Sequence, residues 1–507
     1  MKYHNLDLEA FDYRIEGDGE QFRVRVTDSP VGQQWHDQAD RVVVPPGFRE
    51  QLRPLETGMV GLVEMIALGK DLAALLFPPG ARSFLTRSRE KVGEGEALRI
   101  RLRLHTYALA DMPWEYVYVA PAGTPPGQEG VDGFLALDRR VSLVRYEVMA
   151  QAPGTLDPLG EGVLRMVVLL ASPDPSASHL AEVDLLEEQH RIAQALRGVP
   201  EVGAEFYPEG TVDALQRALS SEAHIFHFVG HGVFQGQRDA AVGSSGGQGY
   251  VILVDERRQI WPFAADRLAR NLSGRGVRLA VLNACEGARR DPVNAWTGVA
   301  PALIRAGIPA VVGMQYTVSV ADAAAFNTNF YRALAAGQSV DAAVTDGRLA
   351  ILNRSRDYVR DWGIPVLYLR AEEGVLFPVR PVGPSTDSGR GDRDEHLRHG
   401  APVDRGPAAG DEHLRRGAPV DRGQAQVGRR ALRTALMEGF SLGELKVLCA
   451  DVQDALAEDG ISEQVNLEMV GGSGKMVKVI NLIGYLDRRG YLGYLEEAVR
   501  RERPGLL

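Results

Sequence analysis

The sequence predicts an α/β protein: a mainly parallel sheet with flanking helices over residues 161–380, a β-rich region before it over 1–160, and a small all-α bundle after it over 428–507. Three observations lead there. Continuous apolar runs alternate with helical stretches in the middle of the chain, strict apolar/polar alternation dominates the start, and heptad-like apolar stripes fill the end. At 507 residues, with 45% hydrophobic and 24% charged side chains, the chain has material for several domains and at least one large core.

The opening region carries the alternation. In EQFRVRVT, Phe22, Val24 and Val26 share one face against Arg23 and Arg25, and in LRIRLRLH, Leu98, Ile100, Leu102 and Leu104 oppose Arg99, Arg101 and Arg103. Such half-buried strands are expected to pair antiparallel. Gly61 to Leu76 has helical spacing, and MPWEYVYV and GFLALDRRVSLVRYE read as a second strand cluster around the turn-rich AGTPPGQEGVDG.

From about residue 164 the strand candidates are VLRMVVLLAS, HIFHFVG, YVILVDE, VRLAVLNA, PAVVGMQY and PVLYLRA. Helical stretches separate most of them, at Val183–Leu196, Val212–Leu219, Ala264–Leu272, Val299–Ala306, Ser319–Ala336 and Val340–Leu352. Runs without alternation, joined through helices, are the pattern of a parallel sheet covered on both faces. Ser319, with Asp322 three residues on, is placed to cap the helix that follows.

Residues 381–427 hold a duplication, DEHLRHGAPVDRG at 394 and DEHLRRGAPVDRG at 411, in a stretch of Gly, Pro, Arg and Asp too poor in apolar side chains to form a core. A flexible linker is expected there, its repeat a product of slippage in a tolerant tether. In the final segment Ser441 and Glu444 have capping-box spacing ahead of Leu445 and Leu448, and Val479, Ile480, Ile483 and Leu486 form an apolar stripe.

Composition excludes several function classes. A net charge of −10 argues against a general nucleic-acid binder. The start, MKYHNLDLEAF, has no apolar signal core, and the most apolar stretch, Met59 to Phe77, carries Glu64, Lys70 and Asp71 within it, so neither secretion nor a membrane span is expected. Two distant cysteines suit a reducing, cytoplasmic compartment rather than a disulfide framework.

Two strand ends carry the chemistry. HIFHFVGHG (224–232) and LAVLNACEG (279–287) stop buried apolar runs at His231 and Cys285, and ligands in open parallel sheets collect beyond the carboxyl ends of strands. A thiol needs a base or cation beside it to become a thiolate at neutral pH, and an imidazole suits that task. If the two strands are neighbours, Cys285 can attack a carbonyl while His231 protonates the leaving amine and then activates water. The amides of Gly232 and Cys285 are the candidate oxyanion hole. Asp255, at the end of YVILVDE, and Glu286 are candidates for a pocket that takes a basic side chain, with Asp291 behind them.

Bland readings stand beside these. Cys449 lies among apolar helix positions and is expected to pack in a core. His227 either orients the catalytic ring or is a buried, hydrogen-bonded histidine, and His224 is expected to be structural. A zinc site from His227, His231 and Cys285 lacks a fourth ligand, so neither metal nor cofactor is expected. GGSGKM at 471 lacks phosphate-loop spacing and a preceding strand, and reads as a turn.

The GHG and NACEG pair resembles the caspase-like clan of cysteine peptidases, and most closely the CHAT domain. RAGIPAVVGMQYTVSVADAAAFNTNFYRALAAGQSVDAAVTDGRLAI resembles the CHAT segment after the cysteine, and MPWEYVY with GFLALDRRVSLVRYE the region upstream. The likeness covers about residues 40–380 and is most specific over 224–350. It implies a caspase-like sheet, an endopeptidase acting on protein substrates, and a catalytic His231–Cys285 dyad. LRTALMEGFSLGELKVLCADV and GKMVKVINLIGYLDRRGYLGYLEEAVRRERP resemble effector-associated, death-like adaptor domains. That implies recruitment to sensor or adaptor proteins carrying matching domains, or self-association, in bacterial defence or regulated cell death. Charge agrees: Glu438 to Glu468 holds eight acids and one base, Lys475 to Arg503 seven bases and four acids. The alternative is a non-catalytic caspase-like scaffold working through the same domain.

Overall fold

Strand pairing joins the opening region to the middle of the chain in one sheet, through a strand from beyond residue 360. The computed structural model describes residues 1–17, 19–147, 149, 156, 163–174, 180, 183–284, 296–316, 318–354, 360–378, 432, 435, 436, 439–459, 461, 465, 466, 479, 482, 483, 486 and 491–505. Two compact units divide it, Met1–Ser388 and Gly389–Leu507. The first contains β1 (Lys2–Glu16), β2 (Gly19–Asp28), β3 (Asp40–Val44), β4 (Glu96–Leu104), β5 (Val141–Arg145), β6 (Leu164–Leu170) and β7 (Val202–Tyr207). It continues through β8 (Ile225–Gly230), β9 (Gly232–Gly236), β10 (Gly247–Val254), β11 (Ile260–Ala264), β12 (Leu279–Ala284), β13 (Ala310–Met314) and β14 (Pro365–Leu369).

Eleven of these strands form one sheet in the order β3-β2-β1-β4-β5-β14-β13-β12-β8-β6-β7. From β7 through β6, β8 and β12 to β13 every pair is parallel, as the unalternating apolar runs predict. Helices cover both faces of that half. Val281, Leu279 and Ile225 pack with Phe326, Phe330 and Val344 from Val320–Ala335 and Val340–Arg354. Leu282, Ala280 and Phe228 pack with Leu215, Leu268 and Leu303 from Val212–Ala218, Ala265–Leu272 and Trp296–Arg305. Ser319 caps its helix as expected, its side chain accepting from the Asp322 amide.

Three expectations are corrected. The arginine-studded β4 is parallel to both β1 and β5, whereas β1, β2 and β3 pair antiparallel. The reason is the connection: a helical crossover, with Leu62–Leu76 and Pro79–Lys91 its two long helices, carries the chain from β3 to β4 and returns a strand parallel. YVILVDE does not join the large sheet. It forms β10, the centre of a separate antiparallel sheet, β11-β10-β9. MPWEYVYV is not a strand but a 3-10 turn, Trp114–Tyr116, and a single bridge from Tyr118 to Phe134. Its aromatics are spent on packing: Tyr116 and Phe134 lie 5.1 and 4.8 Å from the Trp362 ring, and Tyr116 Oη donates to the Arg360 carbonyl. β7, with only Val202 fully buried along a half-exposed edge, gives no continuous apolar run and escapes a search for one.

The polar face of β4 holds a second surprise. Arg99 is buried, and its guanidinium makes a two-point bond to Asp341, with Nε and Nη2 each 2.8 Å from a carboxylate oxygen. Ser142 on β5 donates to the same carboxylate, and Arg99 reaches the Glu372 carbonyl as well. A buried pair of this kind is costly to break on one side only. Glycines set a second close contact. A Cβ on Gly249 of β10 would lie 2.7 Å from the Gly298 and Val299 backbone, so β10 and the helix Trp296–Arg305 touch main chain to main chain.

The second unit has its own core. Leu445, Leu448, Cys449, Val452 and Leu456 of the helix Leu442–Glu458 pack with Val479, Leu482, Ile483 and Leu486 and with Leu495 and Val499 of Leu492–Glu502. The Ser441–Glu444 capping box is present in both directions. Arg503 pairs with Glu444 at 2.8 Å and Arg501 with Asp451 at 3.4 Å, so part of the opposed charge is matched inside the unit. The linker 381–427, its duplication and GGSGKM lie outside the described residues. No helix among the described residues is long and apolar enough to cross a membrane.

Asp341→Ala should lower unfolding stability by roughly 3 to 5 kcal/mol, because it strands the Arg99 charge in the interior. Urea unfolding followed by tryptophan fluorescence measures this. A loss below about 1 kcal/mol, the range of an exposed pair, would contradict it.

Candidate active site

β8 and β12 are neighbours. Their parallel register runs from Ile225↔Leu279 to Gly230↔Ala284, so the last matched pair stands one residue before His231 on one strand and Cys285 on the other. Gly230 is required at that point, since a Cβ would come within 2.7 Å of the Phe228 ring and 3.0 Å of the Ala171 carbonyl oxygen at the end of β6.

His231 is fully buried. Its carbonyl accepts from the Ile252 amide at 2.9 Å, which ties the turn out of β8 to the middle of β10. The same bond explains Pro262 on β11: it stands opposite Ile252, whose N–H points to the other side, so no ladder bond is asked of the proline. Gly232 follows at once as the first residue of β9, opposite Val251. Cys285, Glu286 and Asp291 lie within 285–295, outside the described residues, which resume at the helix Trp296–Arg305.

Asp255 stands three residues beyond Ile252, roughly 10 Å further along the strand direction at the usual rise. Its Oδ1 accepts from the amides of Arg257 (2.9 Å) and Gln259 (2.8 Å), closing the β10–β11 turn. In that turn Arg258 has a φ of 59° and hydrogen-bonds to the Ser172 carbonyl at 3.1 Å. One oxygen of the Asp255 carboxylate therefore holds a hairpin.

The histidines of β8 divide by role. His224 Nδ1 accepts from the Arg165 amide at 2.9 Å, a structural bond between β6 and the entry to β8. His227 is fully buried, its Nδ1 2.8 Å from Tyr331 Oη and its Nε2 2.8 Å from Asn283 Nδ2. Both ring nitrogens are thus engaged by protein groups. Burial holds its pKa down at about 3, so the ring is neutral. Asn283 and Tyr331 were missed by a reading centred on reactive groups. The available signal was period two: positions 279, 281 and 283 share a face, and Asn283 is the first polar residue on it.

A cleft opens at the same edge of the sheet, past the end of β13. Asp111, Arg145, Trp296, Thr297, Gln315 and Tyr368 line it. Arg145 is held there by Glu115 at 2.8 Å, and Gln315 Nε2 donates to the same carboxylate at 3.3 Å. These residues come from a helix start, loops and strands far apart in the chain, and nothing in the local sequence marks them as companions.

His227 should couple stability to pH. Its native pKa lies below the ordinary value of about 6.5, so as pH falls below about 6.5 the unfolded chain gains a proton that the native ring refuses. Stability is then lost at up to about 1.4 kcal/mol per pH unit until pH approaches about 3. Urea midpoints from pH 7 to 4 should fall less steeply for His227→Gln than for the wild type; equal slopes would contradict a buried neutral ring.

Solved structures offer distant likenesses. The Arg specific cysteine proteinase gingipain R is 14% identical over 61% of this chain and 70% of its own, with a TM-score of 0.34. The Porphyromonas gingivalis RgpB complex of pro- and mature domains gives 14%, 66%, 78% and 0.35. The Saccharomyces cerevisiae separase–securin complex gives 13% identity over 57% of this chain and 16% of that chain, with a TM-score of 0.31. No curated protein matches the sequence. The CHAT domain family model, in contrast, matches residues 67–370, well over half of the 507 residues. The match runs from within the helix Leu62–Leu76 to the residue after β14 and takes in both strand ends, and on it the chain belongs to the CHAT domain family.

Proposed function

We propose that the chain is a cysteine endopeptidase that cleaves protein substrates through a dyad of Cys285 and His231. The observation that carries this reading is the β8–β12 register, whose last matched pair is the residue before each of them. In the proposed reaction the Cys285 thiolate adds to the scissile carbonyl, and the C–N bond breaks as His231 gives its proton to the leaving amine. His231 then takes a proton from water as it attacks the thioester, releasing the acid and the thiol. The amides of Gly232 and Cys285 are assigned to the developing oxyanion, where one donor is worth roughly 3 to 4 kcal/mol. No cofactor is invoked.

The role we assign is that of a latent cytoplasmic protease in bacterial defence or regulated cell death. The helical unit at the C-terminal end is proposed as a death-like, effector-associated adaptor that recruits the peptidase to a sensor, or gathers copies of it. Its separate core and its capped helix support an independently folded module.

A thiol-directed peptide probe should label Cys285, and His231→Ala should reduce the labelling rate at least a hundredfold. Unchanged labelling in His231→Ala, or labelling confined to Cys449, would leave the scaffold reading in place. For the adaptor, light scattering on the full chain with its genomic neighbours should show association that a chain ending at Ser388 lacks. Identical behaviour of the two would remove the adaptor role.

A further inference from the structure

Two buried polar side chains and a half-buried one cross from the helical layer to β12 directly below the two strand ends. Tyr331, on the helix Val320–Ala335, meets His227 on β8, and His227 meets Asn283 on β12, each step spanning 2.8 Å. Their surroundings on that face are apolar: Ile225, Val229, Leu279 and Val281 are all buried. Three leucine-like side chains would pack there without needing partners, so a polar chain has to earn its place by specifying one arrangement.

The bonds define that arrangement. With Asn283 donating through Nδ2, Nε2 of His227 is the acceptor, and the ring proton sits on Nδ1 and is donated to Tyr331 Oη. Rotating the carboxamide by 180° reverses every bond and still leaves a neutral, doubly bonded ring. The Asn283 Oδ1 is buried with no hydrogen-bond partner among the described residues. Position 283 is two residues before Cys285, and position 227 four before His231, so one chain of bonds touches both strands that lead to the dyad.

We infer that Tyr331, His227 and Asn283 form a positioning relay for the peptidase dyad, locking the ends of β8 and β12 against each other and fixing the Asn283 carboxamide beneath the reacting groups. The inference rests on the peptidase reading above. None of the three is a catalytic residue; each acts through the strand end that it holds.

The test uses the full chain and five variants, His231→Ala among them as the dyad reference. Tyr331→Phe deletes one hydroxyl, His227→Leu both bonds, and His227→Gln keeps a donor and an acceptor, while Phe330→Leu serves as a packing control on the neighbouring core position. The rate of Cys285 labelling by a thiol-directed peptide probe is read by peptide mass spectrometry, alongside Tm and the ¹⁵N shifts of His227. Tyr331→Phe and His227→Leu should slow labelling roughly tenfold. His227→Gln should recover most of the rate, and Tyr331→Phe should shift the His227 ring nitrogens. Wild-type labelling by Tyr331→Phe, while His231→Ala still abolishes it, overturns the relay and leaves the peptidase intact. A loss in Tyr331→Phe that Phe330→Leu reproduces at equal Tm reduces the three residues to packing and also overturns it. Full labelling of His231→Ala removes the dyad, and the relay with it.

Discussion

The parallel hydrogen bonding of β8 to β12 is the constraint on which the rest of this molecule turns. It brings together two sequence segments that have a whole small sheet and a helix between them, β9 to β11 and Ala265–Leu272. Parallel neighbours need a crossover, and here the crossover is more than a return path. Its β10 grips the His231 carbonyl, and Gly249 lets it rest on the Gly298 backbone, at the start of the helix that follows the 285–295 segment. The insertion between the strands is thus tied both to the turn out of β8 and to the helix Trp296–Arg305.

Much of the middle of the chain was legible because burial on both faces leaves a plain signature. The runs around residues 164, 225, 279 and 310 became β6, β8, β12 and β13, and the expected helices appear within a few residues of their predicted bounds. What alternation could not reveal was direction. Arg99, Arg101 and Arg103 look equivalent in sequence, yet Arg101 pairs with Asp7 at a partly exposed site whereas Arg99 is buried on Asp341, 242 residues away. A partner that distant leaves no local trace.

At the candidate site the sequence points to His231 and Cys285 and is silent on the groups bonded to His227. A histidine and a cysteine at strand ends advertise themselves through glycine and the end of an apolar run. Tyr331 reads as one more aromatic on a helix, and Asn283 as a polar residue closing a strand, until the register puts His227 between them. Asp255 shows the converse: an acid at a strand end suggests a pocket, while its Oδ1 accepts from the backbone of the tight turn that follows, a role the sequence does not advertise.

The Arg99–Asp341 bond bears on modularity. β4 belongs to the opening third of the chain and Val340–Arg354 to the last part of the family-matched region, and Ser142 on β5 binds the same carboxylate. Evolution can exchange a module freely only where its boundary cuts few buried bonds. A cut near residue 160 separates a buried guanidinium from the carboxylate it binds, besides splitting the sheet between β5 and β14. The opening strands therefore share one sheet and one buried ion pair with the part of the chain that presents His231, and a division between them breaks both.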